Sequence, residues 1–464
     1  MIRAFKNLIQ SNRTFWFLFL LNILIGGVIF GISSGIDFPD ANGYWLMGES
    51  LMHGKFSSWH FLPKYYPETL RTPGYPLFLA LCQLFSKSLL LPKLIQFVLY
   101  FVSVFLVTRV VYFFQPNISY RNLFLLILIP NVQIVYYTGY ISAEILNVFF
   151  ITLAAYILTL KRSWINVFFL ALVCYVIFII RPAFLLFPLV IAAYLYRSRL
   201  NYALLFLFTY SLLLLPFGYW NYKNHGEFKL TTIEGGAGVA HLGFWAYKLP
   251  TNYIDSFYWG NKVISDLTNP FSFSQPEFAI NAKSYNSECT LLWNRLSVYL
   301  TKEDSIYLMK MKNNPYGIFL LYNSQYTLAR ESALKNVTIE HIKNEPLYYL
   351  KTRFYSLFRN YVTGINEENF HKATSLREKL KCVYPFLVTF VFIFVGLIFV
   401  TYTALNQRFK NQTFILLLLM AWYYGLVHIP FSIQARYTIP IHLIILSLLP
   451  FSLRVIEFES QRAR

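Results

Sequence analysis

The chain has 464 residues, 56% of them hydrophobic and 13% charged, with a mean hydropathy of +0.46 and a formal net charge of +19. Average soluble domains carry about 25% charged residues, so the composition excludes an ordinary soluble fold and points to an all-α membrane protein with many spans. A 20% aromatic content, with 36 Tyr and 46 Phe, suits lipid-facing surfaces and interfacial belts.

In chain order, Arg3, Lys6 and Arg13 precede a long apolar run with no small-residue cleavage site, which predicts an uncleaved membrane anchor. Runs long enough to cross about 30 Å of hydrocarbon predict ten spans, near 14–35, 89–114, 122–140, 144–160, 164–181, 183–197, 200–220, 383–405, 412–431 and 437–455. The apolar stretch 75–85 is too short to cross, so it predicts an interfacial or re-entrant helix. If the N-terminus is cytoplasmic, the inner segments hold Arg3, Lys6, Arg13, Arg109, Arg121, Lys161, Arg162, Arg197, Arg199, Arg408, Lys410, Arg454, Arg462 and Arg464, while the short outer turns hold almost none. That asymmetry satisfies the positive-inside rule and puts both termini in the cytoplasm. Basic inner loops facing anionic headgroups explain part of the positive charge without nucleic acid.

The organisation reads as an N-terminal membrane module (1–220), an external segment (221–381) and C-terminal spans with a basic tail (382–464). The external segment carries 19 Lys/Arg against 14 Asp/Glu and no long apolar run. Its glycine-rich start, NHGEFKLTTIEGGAGVAHLGFWAY, suggests turns and short strands; its later part has helical spacing. The segment is therefore expected to be mixed and mainly helical. The sequon Asn336-Val337-Thr338 lies within it and would be a glycan acceptor in a eukaryote, although the basic, Asn- and Ile-rich composition reads as a bacterial inner-membrane protein. Cys82, Cys174, Cys289 and Cys382 show no CxxC or zinc-like spacing; a Cys289–Cys382 disulfide is allowed by the sequence without being supported by it.

The first external loop, 36–78, is acidic and aromatic, with Asp37, Asp40, Lys64, Tyr65, Tyr66, Glu68 and Arg71. Carboxylates where a chain leaves a membrane are costly unless solvated, paired or used, so this loop reads as an active-site loop.

Several motifs occur in order: Asp40-x3-Tyr44 leading to Gly54, Arg71-Thr72-Pro73-Gly74-Tyr75-Pro76, Pro130-Asn131 then Ser142-Ala143-Glu144, and Arg181-Pro182 at a span end. Pro216-Phe217-Gly218-Tyr219-Trp220-Asn221-Tyr222 leading to Gly235-Gly236, Pro346-Leu347-Tyr348-Tyr349-Leu350-Lys351, and Arg436-Tyr437-Thr438-Ile439-Pro440 follow. The set resembles the family 39-like glycosyltransferases of the GT-C superfamily, related to protein O-mannosyltransferases and lipid A aminoarabinose transferases. Two positions depart from the pattern: Ala41 stands where the family often has Ser or another small polar residue, and Trp220 where it has Arg. The second removes a cation at the membrane face.

The resemblance implies an inverting transfer of a sugar from a polyprenyl-phosphate donor to a glycolipid, polysaccharide or protein acceptor at the outer face. Such chemistry asks for a carboxylate base and cations that hold the phosphate. No GxGxxG or GxxxxGK[ST] motif is present.

Asp40 matches the family aspartate and is the candidate base; the bland alternative is that it caps the following helix. Asp37 is a solvated loop charge or a group that tunes Asp40. Glu144 either assists Asp40 or binds a substrate amino or hydroxyl group; the plain alternative is a water-exposed residue favoured by a helix N-terminus. Arg71, Arg181 and Arg436 are candidate phosphate holders; alternatively Arg181 and Arg436 snorkel to the interface and Arg71 pairs with Glu68. Lys64, Tyr75, Tyr437 and His428 complete the candidate binding set, with a solvated loop cation and a packed interfacial histidine as the plain readings of Lys64 and His428. The resemblance implies no required metal; the alternative set for Mg²⁺ or Mn²⁺ is Asp37, Asp40 and Glu144. A transporter or flippase of lipid-linked sugars, or a non-catalytic assembly subunit, is the competing class, although the paired repeats and mid-span charges expected of transporters are not seen.

Overall fold

The computed structural model describes residues 10–35, 40–59, 62, 64–234, 236–249, 275–304, 323–365, 367–406, 411–431 and 435–462. It is 79% helical, with no strand among the described residues. Asp37, Gly235 and the loop cations Arg3, Lys6, Arg408, Lys410 and Arg464 lie outside the described residues.

Helix α1 (Asn12–Ser33) is followed by two short helices, α2 (Ala41–Met52) and α3 (Gly74–Gln83). Then come α4 (Leu90–Phe114), α5 (Ile118–Leu128), the single turn α6 (Gln133–Tyr136) with a 3-10 turn to Gly139, α7 (Glu144–Thr159), α8 (Trp164–Ile180), α9 (Phe187–Tyr196) and α10 (Leu200–His225). Residues 221–381 supply α11 (Ala237–Trp245), α12 (Gln275–Leu296), α13 (Ser324–Asn344) and α14 (Pro346–Tyr361). After α15 (Glu367–Lys372), α16 (Leu376–Val388) runs through a π-helical segment into α17 (Gly396–Asn406), and α18 (Gln412–Val427) and α19 (Ile439–Arg462) end the chain.

Four helical stretches are long and apolar enough to cross a bilayer: Asn12–Ser33, Leu90–Phe114, Leu200–His225 and Leu376–Asn406. A fifth crossing arises if the pair Ile118–Leu128 and Gln133–Gly139, bent by 60°, counts as one. The other expected spans coincide with apolar helices of 10–17 residues; at 1.5 Å per residue even 17 residues reach only about 26 Å.

The outward faces of the long helices are apolar. Leu20, Leu24, Val28 and Ile32 recur every fourth residue on α1 and are exposed, as are Leu204, Phe208, Leu212 and Leu215 on α10. Stripes of this size are unfavourable against water and suited to lipid. Polar starts sit at the ends: Ser11, Asn117, Ser163 and Asn411 each cap a helix by accepting a backbone N–H, and Ser375 with Glu378 forms a capping box before α16.

One apolar core joins α4, α5, α7, α8, α9, α10, α18 and α19. A smaller cluster of Ala41, Tyr75, Leu79, Ile141, Ala143, Leu146 and Ile180 seats α2 and α3 on the start of α7 and the end of α8. The expected short helix at 75–85 is therefore α3, packed on the bundle. The glycine-rich stretch after Asn221 contains, among the described residues, turns and α11 with no strand: Asn221 donates to the carbonyls of Lys229 and Thr231, folding that stretch back on α10. Thr69 of the first loop donates to Glu234, whose other oxygen pairs with buried Arg330 of α13 at 2.8 Å, tying the loop to α13. All four cysteines are free thiols, so the Cys289–Cys382 disulfide is absent.

Close approach at Gly74 tests this packing. A Cβ there would lie 2.6 Å from the Ile179 carbonyl oxygen and 2.8 Å from the Ile180 nitrogen, both backbone atoms that cannot swing aside. Gly74→Ala is expected to destabilise the protein by about 1–3 kcal/mol, read as a lower Tm in detergent, whereas Gly27→Ala, with open space around it, is expected to leave Tm unchanged.

Candidate functional site

Asp40 immediately precedes α2, yet its side chain makes no capping hydrogen bond. Two arginines claim it instead. Arg71 Nη2 donates to Oδ1 at 3.0 Å and Arg436 Nη2 to Oδ2 at 3.1 Å. Glu144, the first residue of α7 and only 2% exposed, is bonded by Arg181 and has Arg436 Nε at 3.9 Å. Residues separated by almost 400 positions thus form one cluster of two carboxylates and three guanidiniums. The capping alternative for Asp40 and the water-exposed alternative for Glu144 are both set aside by this geometry.

Each arginine is placed by its backbone. Buried Glu68 accepts the backbone N–H groups of Leu70 and Arg71 at 3.2 Å, with Ser58 donating to its second oxygen. This tightens the turn and leaves the Arg71 guanidinium to reach Asp40, rather than pair with Glu68 as the plainer alternative held. Arg181 is extended before Pro182, as a residue preceding proline must be, and this ends α8 with the side chain turned toward Glu144. Arg436 lies in a 3-10 turn, Ala435–Thr438. Thr438 donates to the Asn360 carbonyl of α14, and buried Arg353 of the same helix donates to the carbonyls of Ile429 and Phe431 just upstream. Helix α14 therefore sets the position of the arginine that lies between the two carboxylates.

Aromatic rings floor the cluster. Arg71 lies 5.0 Å from the Tyr44 ring centroid, and Tyr437 is 5.5 Å from Arg181 and 5.9 Å from Arg436. Such contacts stabilise a guanidinium while keeping water away. Tyr75 packs edge-on to Tyr44 and donates to Gln96 at 2.8 Å; Gln96 in turn donates to the Thr138 and Tyr140 carbonyls. That chain fixes the turn leading to Glu144.

The five charged groups carry one net positive charge, three guanidiniums against two carboxylates. Burial pushes the Asp40 carboxyl up, but Arg71 and then Arg436 more than reverse this and hold it below its ordinary value of 3.8. A divalent cation at this place would have to displace arginines from both carboxylates, so the donor set fits an anion better than Mg²⁺ or Mn²⁺.

Of the residues singled out from the sequence, Asp40, Glu144, Arg71, Arg181, Arg436 and Tyr437 meet here, and Asp37 lies outside the described residues. Three others stand elsewhere. Tyr75 is buried one layer behind, committed to Gln96. His428 is buried against Tyr437 with centroids 5.0 Å apart, its Nδ1 on the Tyr424 carbonyl at 2.7 Å, so it supports Tyr437 instead of facing a substrate. Lys64 pairs with Asp304 at 3.4 Å and joins the first loop to the 221–381 segment. Sequence reasoning missed Tyr44 as a cation–π floor, Glu68 as the clamp of the Arg71 turn, and Gln96. The Asp40/Tyr44 i, i+4 spacing was the available signal for the first.

Arg181→Met leaves Glu144 buried with its main partner gone, and is expected to cost about 3–5 kcal/mol; adding Glu144→Gln should recover most of the loss, both read by thermal unfolding in detergent. Because the folded Asp40 pKa is depressed, its pairing stabilises the fold above about pH 4 and is lost as pH falls through the folded value. Asp40→Asn should therefore flatten the acid limb of the stability–pH curve in that window.

No protein-family model, curated protein or solved structure matches the chain, so the activity of this cluster has to be argued from its own chemistry.

Proposed function

We propose that the protein is an inverting glycosyltransferase that moves a sugar from a polyprenyl-phosphate donor to a glycolipid, polysaccharide or protein acceptor at the outer face of a membrane. The observation that carries this reading is the partly buried Asp40 carboxylate held between Arg71 and Arg436 beside the Glu144–Arg181 pair. A phosphate is a better partner for two guanidiniums than a single carboxylate is, because it offers more acceptor oxygens in bidentate geometry. When a donor phosphate draws Arg71 and Arg436 toward itself, Asp40 loses the charges that depress its pKa and becomes a competent base. It then takes the acceptor hydroxyl proton as that oxygen attacks the anomeric carbon; the bond from that carbon to the phosphate oxygen breaks, and polyprenyl phosphate leaves with its charge held by the arginines. Glu144 keeps Arg181 and Arg436 ordered while this exchange occurs.

The topology we propose has ten spans, made of the four long helices, the bent pair and the five shorter apolar helices, with the basic loops and both termini inside and the first loop and external segment outside. The bacterial inner membrane, with the cluster facing the periplasm, fits this charge pattern. Charged groups gathered at helix ends rather than mid-span favour transfer over transport.

Mass spectrometry of polyprenyl-phosphate sugars and envelope glycans tests the reading in cells carrying wild-type protein, Asp40→Asn or none. Donor accumulation and loss of one glycan sugar are expected alike in the mutant and the null. A mutant indistinguishable from wild type, beside an altered null, would overturn the assignment.

A further inference from the structure

Three helices of the external segment bring together groups that the transfer chemistry does not use. His241 of α11 and His341 of α13 both turn their Nε2 atoms to the carboxylate of Glu288 on α12: His241 meets Oε1, and His341 lies 2.6 Å from Oε2. One ligand atom from each residue lies within 4.8 Å of the others. The rings cannot turn freely. His241 is fully buried and stacks on Tyr285 at 5.9 Å; His341 stacks on Phe244 at 4.7 Å with planes 11° apart, and meets the edge of Trp245 at 5.3 Å. The other two members open to one side, since the Glu288 and His341 side chains are 20% and 22% exposed. Two fixed imidazoles and a carboxylate therefore converge on one solvent-reachable point.

We propose that His241, Glu288 and His341 bind one divalent transition-metal ion of the zinc type, through two Nε2 atoms and a carboxylate oxygen, with the fourth position left to water. Zinc bonds of about 2.0–2.2 Å place tetrahedral ligands about 3.4 Å apart, which these groups reach by small side-chain movements. Imidazole nitrogens select zinc-like ions over Mg²⁺ and Ca²⁺, which prefer all-oxygen shells. Because each ligand comes from a different helix, the ion ties α11, α12 and α13 together. It does so beside the core cluster of Leu242, Phe244, Trp245, Leu249 and Tyr285. Metal binding would then stabilise the external segment by linkage. A metal-free triad, with each histidine donating its Nε2 proton to Glu288, uses the same three residues and is the competing arrangement. The proposal does not depend on glycosyl transfer.

The full chain, purified in detergent, stripped with chelator, incubated with ZnCl₂ and desalted, would be assayed for zinc by inductively coupled plasma mass spectrometry. In parallel, CoCl₂ loading reads coordination through visible d–d bands. Wild type is expected to retain one zinc per chain, show tetrahedral cobalt bands and gain thermal stability with zinc. Glu288→Gln and His341→Asn are expected to bind roughly tenfold more weakly or worse and to gain no stability. Folded wild-type protein, by circular dichroism, that retains no zinc and shows no cobalt bands would overturn the proposal in favour of the metal-free triad. So would folded variants that bind as wild type does. If the variants do not fold, the wild-type cobalt spectrum decides alone.

Discussion

Arg436 stands between the partly buried carboxylate of Asp40 and the buried one of Glu144, and the architecture around it depends on that position. Ionised groups taken out of water persist only when paired with good geometry, and Arg436 serves Asp40 through Nη2 while lying near Glu144 through Nε. Remove it and two carboxylates lose a shared partner at once. The surrounding contacts read as devices to keep this arginine in place: Thr438 on the Asn360 carbonyl, Arg353 on the Ile429 and Phe431 carbonyls, and Tyr437 braced by His428. Helix α14 thereby helps to fix the charged cluster.

Every member of the cluster sits at or beside a helix end. Glu144 opens α7 and Arg181 closes α8, so each charge lies at the helix end whose dipole favours it. Asp40 precedes α2, Arg71 precedes α3, and Arg436 precedes α19. Helix ends are where an apolar bundle has free backbone groups and room for polar side chains, and long outward-facing stripes of Leu, Phe and Val leave few other places for charge. The cluster is thus built from helix ends and not from the middle of helices.

Much of the helical scaffold was legible because hydrophobic run length is a local property: each expected apolar segment coincides with a helix or a bent helix pair. The strands expected after Asn221 were not found, because alternation and glycine content cannot tell a strand from turns followed by a short helix when the deciding contact, Asn221 to Thr231, is made by a side chain. The carboxylates and arginines could be singled out by their placement at span ends, and the sequence left open whether Asp40 was a cap. Only the three-dimensional pairing decides that. Lys64, Tyr75 and His428 show the opposite limit, since a residue type that suits substrate binding also suits a loop-to-domain salt bridge, a buried hydrogen bond or a packing contact. The His241–Glu288–His341 group was invisible in one dimension: its members are 47 and 53 residues apart, with no metal-ligand spacing.

Binding of a short-chain polyprenyl phosphate to purified protein tests the central claim most directly, namely that Asp40 holds in reserve the arginines meant for a phosphate. Native mass spectrometry or titration in detergent would compare wild type, Asp40→Asn and the double variant Arg71→Met with Arg436→Met. Asp40→Asn is expected to bind the phosphate at least as tightly as wild type, because a competing carboxylate charge is removed from both arginines, while the double arginine variant loses binding. Equal binding by all three, or weaker binding by Asp40→Asn with the arginine variant unaffected, would contradict it.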